Sequence, residues 1–317
     1  MFDTILVTGG CGFIASNFLN YMVDKYPDTK FINLDAMYYC ASLDNVTVSD
    51  RPNYTFVKGK VQEQSLVTHL LSTHKVTAIV HFAAQSHVDN SFGESLKYTE
   101  DNILGTHVLL ECSRQYGKIE RFIHVSTDEV YGESSKEGEE DNQKMENAVL
   151  CPTNPYAATK AAAEMLVNSY IHSYKMPIII TRGNNVYGPN QYPEKLIPKF
   201  IELIKGGKKM TIQGKGNQLR SFLHVNDVAW AFETILLKGE LHEIYNVGIT
   251  DEISVLEVAT KLLALMKPNE KIEDWLDYIP DRQYNDFRYF ITNEKLCALG
   301  WEPRVKFDEG LRMLTEM

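Results

Sequence analysis

Short apolar runs recur along the chain, each bounded by a turn and followed by residues at helical spacing. Thr4-Ile5-Leu6-Val7-Thr8 is the first, and it leads into Gly9-Gly10-Cys11-Gly12-Phe13-Ile14-Ala15. Phe18, Tyr21 and Met22 then mark a helix. Further strands are read at Phe31–Asp35, Tyr54–Val57, Ala78–Phe82, Arg121–Ser126 and Pro177–Thr181, with helices over Leu104–Tyr116 and from Tyr156 to about Tyr174. Strands alternating with helices at these intervals predict βαβ units and a parallel sheet. The predicted fold is a Rossmann-type, doubly wound α/β sheet. Beyond Gly188-Pro189 the alternation weakens, with Pro193, Pro198 and Gly206-Gly207, and a smaller α/β domain is placed there. The expected division is a nucleotide-binding domain over 1–187 and a substrate-binding domain over 188–317. A strand at Phe222–Val225 and a helix at Asp227–Leu237 suggest that 222–245 return to the first domain, so that the two interleave. The acidic interval 133–147 reads as an exposed loop without a motif.

Composition narrows this picture. At 317 residues with 44% hydrophobic content the chain can bury a full core. A net charge of -10 argues against non-specific binding to nucleic acid or an anionic membrane. Five scattered cysteines without a Cys-x-x-Cys fit reduced thiols and no zinc site. No apolar run approaches a membrane span and no signal peptide is read at the N-terminus, so a cytoplasmic setting is expected. The sequons at Asn45 and Asn53 are read as chance.

Three constellations carry chemistry. Gly10, Gly12 and Ala15 fit G-x-G-x-x-G/A, and Gly9, Gly12 and Ala15 fit a related spacing with one more residue in the turn. Such glycines let the backbone approach a pyrophosphate at a helix N-terminus. Asp35, at the end of the next strand, stands where a carboxylate bonds an adenosine ribose, which predicts a dinucleotide cofactor. A carboxylate there repels a 2'-phosphate and no arginine follows it, so NAD is favoured over NADP. The run Ile123–Gly132 ends with Thr127, Asp128 and Glu129, placed where a parallel strand meets a ligand crevice. Tyr156 and Lys160 stand four apart on one helix face, so the ammonium is expected to favour the phenolate, a base for a sugar hydroxyl. Lys195, Arg220, Arg282 and Arg288 are the cations assigned near a diphosphate.

Thr-Gly-x-x-Gly-Phe-Ile at Thr8–Ile14, Ser-Thr-Asp-Glu-Val-Tyr-Gly at Ser126–Gly132, Asn-Pro-Tyr-x-x-x-Lys at Asn154–Lys160 and Asn-Asn-x-Tyr-Gly-Pro at Asn184–Pro189 together resemble the extended short-chain dehydrogenase/reductases. Within them the chain is similar to the nucleotide-sugar 4,6-dehydratases, from Thr8 to Gly310. Ala15, Arg182–Asn185 and Asp281-Arg282 with Asn285-Asp286 look nearest to the UDP-glucose 4,6-dehydratases of rhamnose synthesis, with the dTDP-glucose enzymes as near neighbours.

The resemblance implies roles. Tyr156, supported by Lys160 and Thr127, takes the 4-hydroxyl proton while NAD accepts the C4 hydride. Glu129 removes the C5 proton, Asp128 protonates the departing C6 hydroxyl, and the hydride returns to C6. Gly9, Gly12, Phe13, Ile14, Asp35, Val61, Ala83, Ala84, Tyr156, Lys160 and Asn185 are implied cofactor contacts. Ser86, Thr127, Asn184, Lys195, Leu196, Arg220, Asn246, Asp281 and Arg282 are implied substrate contacts, whereas His87 is read as structural. A homodimer is implied as well. Two positions depart from the family pattern: Lys60-Val61 stands where Asp-Ile or Asp-Val usually contacts adenine, and Gln283 where proline is usual. UDP-glucose is the preferred substrate on this reading, with dTDP-glucose the alternative. A 4-epimerase is the enzymatic rival, disfavoured because it has no use for an acid–base pair aimed at C5 and C6. A non-catalytic NAD-binding regulator is the other rival, disfavoured by the joint presence of Thr127, Asp128, Glu129, Tyr156 and Lys160.

Overall fold

The structure, a computed structural model, describes residues 2–134, 143–281 and 285–316. Its elements run β1 (Thr4–Thr8), α1 (Phe13–Lys25), β2 (Lys30–Asp35), β3 (Tyr54–Lys58), α2 (Gln64–Thr73), β4 (Ala78–His81), α3 (Val88–Gly93), α4 (Ser95–Tyr98), α5 (Gly105–Tyr116) and β5 (Arg121–Thr127). There follow α6 (Pro155–Tyr174), β6 (Ile178–Gly183), β7 (Asn185–Tyr187), α7 (Leu196–Lys205), β8 (Met210–Gln213), β9 (Leu219–Arg220), β10 (Phe222–His224) and α8 (Val225–Lys238). The chain ends with β11 (Ile244–Val247), β12 (Ile253–Ser254), α9 (Val255–Met266), β13 (Leu276–Ile279), α10 (Glu294–Cys297) and α11 (Phe307–Thr315).

Seven strands form one sheet in the order β11-β6-β5-β4-β1-β2-β3. Every neighbouring pair in it is parallel. The order reverses between β1 and β4, and ligands bind at the strand carboxyl ends beside such a switch point. Alternation sends successive side chains to opposite faces. Ile5, Val7, Val80 and Ile123 therefore pack under α1 and α8, while Leu6, Ile79 and Phe122 pack under α2, α5 and α6. The first of these layers also takes in Leu296 and Trp301 from near the C-terminus. There the Trp301 indole donates to the Asp227 carbonyl at 3.0 Å.

A separate core joins α7, β8, α9 and α11 through Phe200, Ile204, Ile212, Leu262 and Leu311. Between the two bodies the chain crosses repeatedly. β7 pairs with β10, and α8 and β11 then sit with the large sheet. Part of the acidic interval lies outside the described residues. Its far end is not a free loop: Lys144 bridges to Ile291, and the Glu146 carboxylate accepts the Asn246 amide N–H at 3.1 Å. Among the described residues no helix is long and apolar enough to cross a membrane.

Candidate active site

β1 stops at Thr8 because the next residue must turn sharply. Gly9 has φ +72°, and a Cβ there would lie 2.8 Å from the Ala83 backbone. Only glycine admits both the backbone angle and that approach. α1 then starts at Phe13 with Gly12 as its N-cap and no capping side chain. Its first amides are left for a ligand, the arrangement that receives a pyrophosphate. Asp35 ends β2 nearly buried, accepting Cys11 N–H on Oδ2 at 2.9 Å and Met37 N–H on Oδ1 at 2.7 Å. Those bonds aim the carboxylate and leave each oxygen a further lone pair. A cavity of about 290 Å³ opens along these elements, and Gly9, Gly12, Phe13, Ile14, Asp35, Val61, Ala83 and Ala84 all line it. Lys60 lines it too, its ammonium 5.9 Å from the Tyr38 ring centroid.

α6 brings Tyr156 and Lys160 to the same cavity. Asn154 caps that helix, its side-chain oxygen accepting Ala157 N–H at 2.9 Å, with Pro155 at the first helical position. The Lys160 ammonium does not sit on the phenol. It donates to the Val125 carbonyl at 2.6 Å, and burial lowers it to about 8. Burial first, then Glu129, pushes the Tyr156 phenol above its usual range, against a lowering hydrogen bond with Thr127. The expected ammonium-stabilised phenolate is therefore corrected for this state: i, i+4 spacing puts both residues on one face, but a buried carbonyl within reach takes the cation.

A buried polar chain fixes where α6 stands. Thr106 gives its single hydroxyl proton to the Asn102 carbonyl at 2.7 Å, so His81 Nε2, 3.0 Å away, must donate to Thr106. His81 Nδ1 is then an acceptor for Thr8 Oγ1 at 2.7 Å, and Thr8 Oγ1 accepts Ala83 N–H at 3.2 Å. Asn102 continues the chain to Thr159 at 2.9 Å, and Thr159 to the Tyr156 carbonyl at 2.7 Å. Burial holds His81 down at about 3, so it stays neutral in this role. Further along α6, Glu164 forms a fully buried ion pair with Arg182 at 2.6 Å. Arg182 also donates to the Tyr131 hydroxyl at 2.8 Å and the Glu146 carbonyl at 3.0 Å, tying β6 to the turn after β5.

That turn, a single 3-10 turn over Asp128–Tyr131, separates the two adjacent carboxylates. Asp128 is 3% exposed. Its Oδ2 accepts the Asn184 amide at 2.7 Å and its Oδ1 the Thr127 hydroxyl at 3.2 Å. Burial, and then the Glu129 charge, pushes it up to about 7, so near neutral pH it can hold a proton. Glu129 is half-buried, accepts the Asn154 side-chain amide at 2.9 Å, and faces a second cavity of about 240 Å³. Asp128 lines neither cavity; Thr127 and Asn184 stand in front of it.

The second cavity lies between the two bodies, and Ser86, Glu194 and Lys195 line both cavities, which therefore meet. Leu196 and Arg220 are also in its wall. Lys195 donates to the Ser86 carbonyl at 3.1 Å. Arg220 is braced on the Leu219 and Asp286 carbonyls at 2.7 and 2.8 Å and lies over the Tyr289 ring. Several expected contacts fall elsewhere. Asn185, taken as a cofactor contact, is exposed on the second cavity, because β7 turns out of the sheet one residue earlier. Asn184 is the inward one, holding Asp128 and the Ile249 amide. Asn246 lines neither cavity: fully buried, it accepts from Tyr131 at 2.8 Å and donates to the Lys144 carbonyl at 3.1 Å. Asp281 is exposed outside both cavities and accepts from Gln218 at 3.2 Å and Asn285 at 2.9 Å. Arg288 is committed to Glu252 at 2.5 Å, away from both cavity walls. Arg282 and Gln283 lie outside the described residues. The sequence reading missed Asn154 as the partner of Glu129, although an Asn before Pro at a helix start was its signal. It also missed Tyr289, for which no sequence signal existed.

The GDP-mannose 4,6 dehydratase family profile matches residues 6–314. A trifunctional UDP-glucose 4,6-dehydratase/UDP-4-keto-6-deoxy-D-glucose 3,5-epimerase/UDP-4-keto-L-rhamnose-reductase of Arabidopsis thaliana is 51% identical over 315 residues, covering 98% of this chain and 46% of that protein. The chain thus spans about half the length of the plant relatives it matches. A dTDP-D-glucose 4,6-dehydratase of Bos taurus is 48% identical over 317 residues, covering 98% of this chain and 87% of that protein. Among solved structures, dTDP-glucose 4,6-dehydratase from Bacillus anthracis in complex with NAD superimposes with a TM-score of 0.90 at 39% identity, covering 99% of this chain and 95% of that one.

Proposed function

The chain belongs to the GDP-mannose 4,6-dehydratase family, and we propose that it dehydrates a nucleoside-diphosphoglucose to the 4-keto-6-deoxy sugar with NAD as resident cofactor. The observation that carries this is the seam between the cavities, where Thr127 and Tyr156 on one side meet Glu129 on the other with Asp128 behind. NAD fits what is there: a glycine cradle that a Cβ would fill, uncapped helix amides, and a carboxylate aimed at the ribose. When bound, it supplies a two-electron acceptor that lends the C4 hydride to C6.

The chain's own residues handle the protons. Tyr156, once ionised, receives the 4-hydroxyl proton as C4 becomes a ketone. The ketone acidifies the C5 proton, which Glu129, the carboxylate facing the substrate cavity, removes and gives back to C5 when C6 is reduced. Asp128, held up to about 7 by burial, is the group suited to protonating the C6 hydroxyl as water leaves. An epimerase needs the first of these steps and neither of the others. The relatives divide between UDP-glucose and dTDP-glucose, and UDP-glucose is the substrate to assay first. Exposed apolar side chains at Leu96, Leu104 and Met165 support a homodimer through the α4–α6 face, which sedimentation tests.

Incubation with NAD and each nucleotide sugar, followed by mass analysis, tests the activity. Loss of one water is the expected result, unchanged mass with altered stereochemistry means epimerisation, and no turnover means a binding protein. Glu129→Gln is expected to oxidise C4 and stop with reduced-nicotinamide absorbance, whereas Tyr156→Phe shows no such absorbance.

A further inference from the structure

Three strand ends divide the cofactor cavity. The turn after β1 receives the pyrophosphate and Asp35 at the end of β2 the ribose, which leaves the adenine to the end of β3. There Lys58 pairs with Asp35, and the chain runs on through Lys60, Val61 and Gln62 in the cavity wall. An adenine presents its 6-amino group as a donor. Lys60 cannot receive it, because a lysine side chain has donors and no acceptor. The acceptor must come from a neighbour.

A buried carboxylate prepares one. Asp101, 7% exposed and in the same wall, stands on a π-helical turn over Thr99–Leu104 that buries both it and Asn102. Asn102 serves the polar chain behind α6, and Asp101 serves the cofactor side. Its Oδ1 accepts the Gln62 side-chain amide at 2.6 Å and the Tyr38 hydroxyl at 3.1 Å, and its Oδ2 the Gln85 amide at 2.8 Å. The Gln62 amide also reaches the Glu100 carbonyl at 3.4 Å. Both of its hydrogens are thus bound to oxygens, and turning the amide over would set oxygen against oxygen. Gln62 Oε1, which meets no donor among the described residues, is the end left for a ligand.

We propose that Gln62, locked by Asp101, accepts the 6-amino group of the cofactor's adenine and rejects a 6-oxo purine in its place. Hypoxanthine puts an oxygen where the amine stood, so two acceptors would face each other. A free glutamine would turn over and offer its amide to that oxygen; the lock prevents it. Gln62 makes the contact, and Asp101 is the positioning residue that gives the contact its sign. The inference deepens the reading of NAD as resident cofactor and rests on it.

Competition at equilibrium tests the pair. The whole protein is exchanged against equal, saturating concentrations of NAD and nicotinamide hypoxanthine dinucleotide, and the two bound forms are counted by mass after rapid desalting. The ratio is independent of how much of the sample is folded, so a merely structural role would not move it. The unaltered protein is expected to hold at least about tenfold more NAD. Gln62→Met keeps the length of the side chain without its acceptor and is expected to lower the ratio by about tenfold, with total dinucleotide per chain unchanged. Asp101→Ala leaves Gln62 in place but free to turn, and is expected to lower the ratio as well. Equal uptake by the unaltered protein, or a ratio that either variant leaves unchanged, overturns the proposal. No uptake of either dinucleotide by the unaltered protein would instead reject the reading of NAD as cofactor.

Discussion

Along the cofactor cavity the chain presents backbone: glycines at Gly9 and Gly12, the free first turn of α1, and Asp35 aimed by two amides. Along the second cavity it presents long side chains already engaged elsewhere, Lys195 on a carbonyl and Arg220 on three more. In the first wall position is set by where strands end, so a single added methyl is felt in full. In the second, each cation already spends bonds on the protein, so the loss of one is expected to be shared among the rest. The residues at the seam stand where the walls meet, Thr127 and Tyr156 on the cofactor side and Glu129 on the other, and the consequences of altering them are expected to be largest.

Tyr156→Phe therefore heads the expected effects, with turnover down by about a thousandfold. NAD and nucleotide affinities should stay within about threefold, read by calorimetric titration. Loss of binding instead would make Tyr156 part of one wall rather than of the seam. Gly9→Ala comes next. Its positive φ costs about 1–2 kcal/mol for a residue with a Cβ, and the clash with Ala83 adds to that. NAD affinity is expected to fall by roughly a hundredfold while UDP binding to the second cavity is retained; loss of both would join the two walls into one unit.

Asp128→Asn tests the seam through stability. The folded-state value of Asp128 is raised from 3.8 to about 7, so the folded protein keeps a proton that the unfolded chain has lost. This stabilisation is complete below about pH 4 and fades as pH rises through 7. The asparagine variant lacks that decline and gains on the unaltered protein by a few kcal/mol near pH 8, as read by denaturant titration. Equal slopes in the two proteins would mean that Asp128 is solvated. Arg220→Lys is the smallest change, raising the substrate KM by about tenfold as the forked donors are lost, with NAD affinity unaltered. An unchanged KM would leave Lys195 as the main cation of that wall.

Legibility in the sequence follows the same division. β1, β2, β5 and α6 were readable to within a residue or two, because a buried parallel strand is a continuous apolar run and α6 opens with Asn-Pro. The glycine turn and Asp35 followed, since strand ends place them. Asn246 and Asn185 misled because a motif gives sequence position and not the direction in which a side chain points. One residue of phase exchanged the places of Asn184 and Asn185. Lys160 misled for another reason: helical spacing put it near Tyr156, and only the fold could show that Val125 offers a closer acceptor. The Arg182–Glu164 pair was invisible because its partners lie on successive elements, α6 and β6, whose packing against each other no residue spacing shows.

The late return of β11 to the sheet edge has a consequence for synthesis. β6 is made well before the strand that covers it, and until α7, β8 and α8 have followed, its outer backbone groups have no strand partner. A nascent sheet with an open edge is a template for pairing with another chain. The interleaving that builds the cleft therefore also sets an interval on the ribosome during which this protein is open to misassembly.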